Sequence, residues 1–155
     1  YEIVPNVVNT AVFKPSENKK ELPFTFLHVS TLYDEIKNIS GILTAYSQID
    51  NKNTLLRIIG DGETDWIREK AISLNIPDQN IQIETEKTHE EIAYAMQQSD
   101  CFVLFSNIEN LPLVLIESMA CGCVPILPEK GGCNKYAVDD INSLLIDTHN
   151  WEKSI

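Results

Sequence analysis

The sequence predicts an α/β fold, a parallel sheet of about six strands with helices on both faces. Short β-rich apolar runs alternate with amphipathic helical segments, the βαβα order that parallel strands joined by crossover helices require. At 155 residues the chain makes one domain with a real core. No repeat, linker or low-complexity stretch interrupts the alternation.

Residues 1–22 read as an irregular lead-in, so the folded domain is expected over residues 23–155. The first strand is predicted over Phe24–Leu32, a run of apolar and β-branched residues. A helix follows, because Ile39, Ile42, Leu43, Tyr46 and Ile49 recur on one face. Leu55–Ile59 is the second strand, and Ile67, Ala71 and Leu74 mark the buried stripe of the next helix. The third strand is Ile81–Glu84. After it, Thr88-His89-Glu90-Glu91 forms a capping box, which opens a helix that buries Ile92, Ala95 and Met96. Three more strands are predicted at Cys101–Phe105, Cys123–Leu127 and Leu144–Ile146. Between the first two of these, Pro112 reads as a first helical residue, because its fixed φ suits a helix start, and the helix is expected to reach about Cys121.

Composition narrows the function. The net charge of −11 argues against nucleic acid and against anionic membrane surfaces as partners. No apolar run approaches the ~18 residues that span a bilayer, and the first residues lack the basic and apolar regions of a signal peptide. A cytoplasmic protein is expected. Cys101, Cys121, Cys123 and Cys133 lie in or beside apolar segments, which suits reduced core thiols, and Cys121-Gly122-Cys123 lacks the spacing of a zinc knuckle.

In a sheet of this kind ligands bind at the carboxyl ends of the strands, so the loops leaving those ends hold the candidates. With Pro112 first in its helix, the cap position falls on Leu111, which has no side-chain oxygen for the N–H groups of Leu113 and Val114. Such a helix start attracts an anion. Glu117, a turn and a half further in, is the one acid between Leu111 and Leu127, with Leu113, Val114, Ala120 and Cys121 as helical neighbours. It either faces solvent or is kept for a ligand rich in hydroxyls. Lys37 is expected at or near a helix start, where the dipole disfavours a cation unless a phosphate sits beside it. The solvated surface is the other reading. In "IIGDGET", Gly60 and Gly62 suit a tight turn, which by itself accounts for Asp61 and Glu63, the alternative being a metal-binding acidic pair. Gly131-Gly132 is either a close backbone approach or a plain turn.

Five segments, "VPNVVNTAVFKP", "FLHVSTLYDEIKN", "LLRIIGDGET", "AYAMQQSDCFVLFSNIENLPLVLIESMACGCVPI" and "VDDINSLLI", stand in an order that resembles the retaining glycosyltransferases of family 4, whose fold is the two-domain B type. The resemblance covers nearly the whole chain, and its most specific part is Glu109, seven residues, then Glu117, followed by Met119-Ala120-Cys121-Gly122 and a strand. It implies that the chain is the C-terminal, Rossmann-like half of such an enzyme, with "VPN" marking the interdomain linker. By the same resemblance Glu117 would hold the ribose hydroxyls of a nucleoside-diphosphate sugar, and Glu109 would face the donor sugar as the catalytic candidate. Asn110 and Leu111 would continue the donor loop, Lys37 and the amides of Leu113 and Val114 would hold the diphosphate, and Ile83 and Glu84 would border the base. No metal or other cofactor is required in that scheme, because fixed donors stabilise the leaving group.

The missing N-terminal half would carry the acceptor site and any membrane contact, so this fragment alone is expected to be inactive. Ser30-Thr31-Leu32 stands where the family commonly has Gly-Arg-Leu, Asn110 replaces a frequent glycine, and Lys135 lies about where an acid is often found. Asn is the next best residue at a positive φ. The implied function is sugar transfer from a nucleoside diphosphate to an acceptor in polysaccharide assembly. A non-catalytic sugar-nucleotide-binding or assembly module and half of a nucleotide-sugar epimerase are the alternatives.

Overall fold

In the computed structural model of the chain, which describes residues 6–18, 23–49, 53–109, 111–129 and 136–147, six parallel strands form one sheet. In chain order they are β1 (Phe24–Thr31), β2 (Thr54–Asp61), β3 (Ile81–Glu84), β4 (Cys101–Val103), β5 (Val124–Pro128) and β6 (Leu144–Ile146), and they lie in the spatial order 3-2-1-4-5-6. The helices are α1 (Asp34–Lys37), α2 (Ile39–Tyr46), α3 (Asp65–Ser73), α4 (His89–Gln97) and α5 (Leu113–Ala120), with a short 3₁₀ turn at Asp78–Asn80. The order reverses between β1 and β4, which pair at Phe26 with Cys101 and Leu27 with Phe102. Loops leaving β1 and β4 therefore diverge and open a crevice at the carboxyl ends.

Alternation along the strands sorts the core onto two faces. Leu27, Val29, Ile59 and Phe102 meet Ala93, Ala95 and Met96 of α4 and Leu115 of α5. On the other face Leu56, Ile58 and Val103 meet Ile39, Ile42 and Leu43 of α2 and Ile67 and Ala71 of α3. Of the predicted stripes, Ile39, Ile42, Leu43, Tyr46, Ile67, Ala71, Ala95 and Met96 are buried, Ile49, Leu74 and Ile92 are partly buried, and α4 also buries Ala93. The Thr88 box is present in full: the Glu91 amide donates to Thr88 Oγ1 at 3.3 Å and the Thr88 amide to Glu91 Oε2 at 2.9 Å. Thr88→Ala is expected to cost about 1 kcal/mol, read as a lower urea midpoint with an unchanged slope.

Several boundaries move for local reasons. β1 stops at Thr31, one residue short of the predicted end, and β2 runs further at both ends because it pairs with β1 from Phe24–Thr54 to Thr31–Asp61. β4 ends at Val103, before Phe105. β5 begins at Val124 because the Cys123 amide is taken by the Ser118 carbonyl at 3.0 Å, closing the end of α5. Gly60 lies inside β2, and a Cβ there would overlap the Ser30 carbonyl oxygen, so its need is close strand approach rather than a turn; Gly62, at φ 135°, is the turn glycine. The lead-in is anchored: Phe13 is 3% exposed in the α4/α5 core and meets the His89 ring edge-on at 6.2 Å. Cys101, Cys121 and Cys123 are buried free thiols, while Cys133 lies outside the described residues. Among the described residues no helix is long and apolar enough to cross a membrane.

Candidate functional site

The loop from β1 turns into α1, a single turn that ends where Asn38 adopts a left-handed backbone at φ 53°. Asn38 then serves as the cap position of α2. This break makes Lys37 the last residue of α1 and the residue directly before the α2 cap, near a helix start as the sequence suggested. Its side chain reaches across the crevice. Lys37 Nζ donates to Glu109 Oε2 at 2.7 Å, with the two side chains 18% and 21% exposed. Two residues that sequence placed at the site from opposite sides of the β1/β4 reversal thus meet. Their loops are tied by Asn107, whose amide donates to the Ile36 carbonyl at 2.8 Å and whose Nδ2 donates to the Glu35 carbonyl at 3.1 Å.

α5 begins one residue later than expected. Pro112 is its cap, with extended backbone at φ −71° and ψ 128°, and Leu111 precedes the cap rather than occupying it. An extended backbone at the proline is as compatible with its fixed φ as a first helical turn is, which is why the residue type could not set the register. Pro112 also lacks a capping side chain, and its carbonyl accepts from the Leu115 amide at 3.1 Å, so among the described residues no side chain caps the amides of Leu113 and Val114. Asn110 lies outside the described residues.

Glu117 is half-buried on α5, and no hydrogen-bond or ion-pair partner for its carboxylate occurs among the described residues. Burial pushes its carboxyl above the ordinary value, an effect opposed by the nearby charge of His89. Burial also pushes the neighbouring Cys121 thiol up to about 11, against a hydrogen bond from the Lys14 backbone amide and with a smaller push from Glu117, so this thiol stays protonated.

Ile83 and Glu84 lie on the edge strand β3, two strands from β1, apart from the Lys37–Glu109 pair. The Ile83 carbonyl accepts from Arg68 Nη2 at 3.3 Å. Glu84 pairs with Arg57 and, at 3.3 Å, with Lys87; burial raises its carboxyl, but the two cations outweigh this and hold it below the ordinary value. These groups border a shallow cavity of about 310 Å³ with Glu90, Glu91 and Tyr94.

At the end of β1, His28 is fully buried and donates Nδ1–H to the Val103 carbonyl at 2.9 Å, with Nε2 2.7 Å from Ser30 Oγ. Burial lowers its pKa to about 4, against the Val103 hydrogen bond and with a further push down from Lys37, so it is neutral near pH 7. Ser30 also reaches the Thr31 carbonyl at 2.8 Å. Asp61 and Glu63 are exposed, and among the described residues no three His, Cys, Asp or Glu side chains converge as a metal set would. Gly131, Gly132 and Lys135 lie outside the described residues. Asn107, with its pair of carbonyl partners, carries no periodicity, charge or motif, and sequence reasoning missed it.

The family described as "Glycosyl transferases group 1" matches residues 9–155. The N-acetyl-alpha-D-glucosaminyl L-malate synthase of Bacillus anthracis is 29% identical over 119 residues, which are 76% of this chain and 29% of that relative. The chain spans 29% to 31% of the length of the curated relatives it matches. Among solved structures, the C-terminal domain of a glycosyl transferase group 1 family protein from Francisella tularensis superposes with a TM-score of 0.76 at 22% identity, covering 95% of this chain and 83% of that one. Sucrose-phosphate synthase from Thermosynechococcus elongatus superposes with a TM-score of 0.82 at 21% identity, covering 97% of this chain and 40% of that one. These likenesses match the chain to the Rossmann-like half of the B-type glycosyltransferase fold.

Proposed function

The chain belongs to the group 1 glycosyl transferases, and on that premise we propose that it is the donor-binding domain of a retaining enzyme that moves a sugar from a nucleoside diphosphate to an acceptor during polysaccharide assembly. The observation that carries the reading is the meeting of Lys37 and Glu109 over the β1/β4 reversal, beside an α5 start with open amides. The donor diphosphate lies between Lys37 and the amides of Leu113 and Val114. Those groups supply positive charge where the leaving group gains negative charge, and that stabilisation is the main catalytic contribution of this domain. Glu109 accepts from hydroxyls of the transferred sugar once Lys37 turns to the diphosphate. Glu117 accepts from the ribose, and the β3 edge at Ile83 and Glu84 borders the base.

No metal is needed in this scheme. The acceptor enters from a second domain that forms the other wall of the crevice, so this domain alone is expected to bind donor without transferring sugar. Lys37→Ala is expected to weaken binding of a nucleoside diphosphate by about 1–3 kcal/mol, the range for charge-assisted hydrogen bonds, and to leave nucleoside binding unchanged. Calorimetric titration with both ligands, in chelator and with added magnesium, checks this. Equal losses for the two ligands, or binding that appears only with magnesium, would refute the assignment.

One feature favours a second reading, a binding or assembly module without transfer. At the end of β1, Thr31 stands where family members commonly place an arginine, its carbonyl taken by Ser30 Oγ, which also lies 2.7 Å from His28 Nε2. Donor binding without turnover by the full-length protein would decide for it.

A further inference from the structure

We propose that Asn107 is a positioning residue that sets Glu109 against Lys37 and so couples the sugar end of the donor site to its diphosphate end. The proposal rests on the donor-site reading above. The last carbonyls of a helix have no partner within it, and those of Glu35 and Ile36 are the ones that Asn107 engages, the first with its side chain and the second with its backbone. Ile36 immediately precedes Lys37, and Asn107 stands two residues before Glu109. The two anchors thus fix the backbones from which both charged side chains reach.

Among the described residues, few other hydrogen bonds hold this loop. Leu104 still pairs with Ile126 at 3.1 Å as a continuation of the sheet, and among the described residues the next amide beyond Asn107 that donates to a loop carbonyl is that of Leu115, at Pro112. Ser106 gives no hold, because its Oγ is buried with no hydrogen-bond partner among the described residues. Without Asn107, the Lys37–Glu109 contact itself would have to position the loop. An ion pair between two partly exposed, flexible side chains is a weak locator. A small displacement of Glu109 would leave the diphosphate contacts in place and misalign the sugar, and misplacement on the order of 1 Å is enough to slow a reaction substantially.

The test uses the full-length enzyme with uridine, guanosine and adenosine diphosphates and their hexose conjugates as probes. Asn107→Ala removes the side-chain donor, Asn107→Asp removes it at constant size, and both keep the backbone bond. Both variants are expected to leave the affinity for the best-binding diphosphate within about twofold, to weaken the matching sugar conjugate about tenfold, as loss of one good hydrogen bond does, and to lower kcat. Unchanged affinity and turnover in both variants would overturn the proposal, as would equal losses for diphosphate and conjugate. A loss confined to thermal stability would make Asn107 merely structural and overturn it too. Lys37→Ala and Glu109→Ala run alongside: if both are silent, the donor-site reading itself fails, whereas a response from them with silent Asn107 variants removes only the positioning role.

Discussion

Replacing Gly60 by alanine is expected to destabilise the domain by about 3 kcal/mol, at the upper end for forcing a methyl group into a packed site. The added Cβ would overlap the Ser30 carbonyl oxygen and approach Leu32 Cδ2 to 2.9 Å. A flexible side chain could turn aside from such a contact, but a carbonyl on the paired strand cannot. Ser30 and Gly60 are register partners, so relief requires β1 and β2 to separate at their carboxyl ends. That end of β1 leads into the turn that carries Lys37. The substitution should therefore also weaken diphosphate binding in whatever protein remains folded. Gly122→Ala is the matched control: its φ of 90° strains an L-residue, but nothing lies within 4 Å of the new Cβ. Strain alone is expected to cost about 1 kcal/mol. Urea unfolding of both variants checks the ordering, and a Gly122 variant less stable than the Gly60 variant would refute the strand-approach argument.

The parts of the fold that were legible in sequence are those set by local periodicity. Ile81–Glu84 and Leu144–Ile146 are strands with the predicted bounds, and the Thr88 box opens α4 where its spacing said it would. Where a neighbour on another element decides, the sequence was silent. Phe13 joins the core because α4 presents His89 and Ala93 nearby, a contact that no pattern within residues 1–22 announces. Gly60 was legible as a glycine but not as a buried strand residue, since the carbonyl that excludes a side chain belongs to β1. The one-turn α1 is too short for a hydrophobic period, so the sequence showed the helix start beside Lys37 but not the separate turn that ends at it. The Lys37–Glu109 contact joins residues 72 positions apart; sequence marked each one but not their meeting.

The second large effect separates Glu117 from Glu109. If Glu117 holds ribose, Glu117→Ala is expected to remove two hydrogen bonds to a charged acceptor and weaken ribonucleotide binding by about 2–4 kcal/mol, with little change for the 2′,3′-dideoxy analogue. Glu109→Ala should leave nucleoside diphosphate affinity nearly intact and act only on the sugar conjugate. Glu117 also has a signature in the free protein, because a half-buried carboxylate with its pKa raised by burial opposes folding once it ionises. With the folded pKa above the unfolded one, its favourable contribution is complete below the unfolded value, near 4.5, and is lost as pH rises through the folded value. Glu117→Gln, which mimics the neutral form, should therefore melt higher than wild type at pH 7, with the difference fading as the pH falls through the carboxylate range. The charge of His89 lies close enough to offset part of the cost. Titration of wild type, Glu117→Ala and Glu109→Ala with ribo and dideoxy ligands decides the binding role, and thermal melts of Glu117→Gln across pH decide the electrostatic one. Equal weakening of both ligands by Glu117→Ala would refute the ribose assignment, and a gain in the Glu117→Gln melting temperature that grows toward low pH would contradict the burial argument.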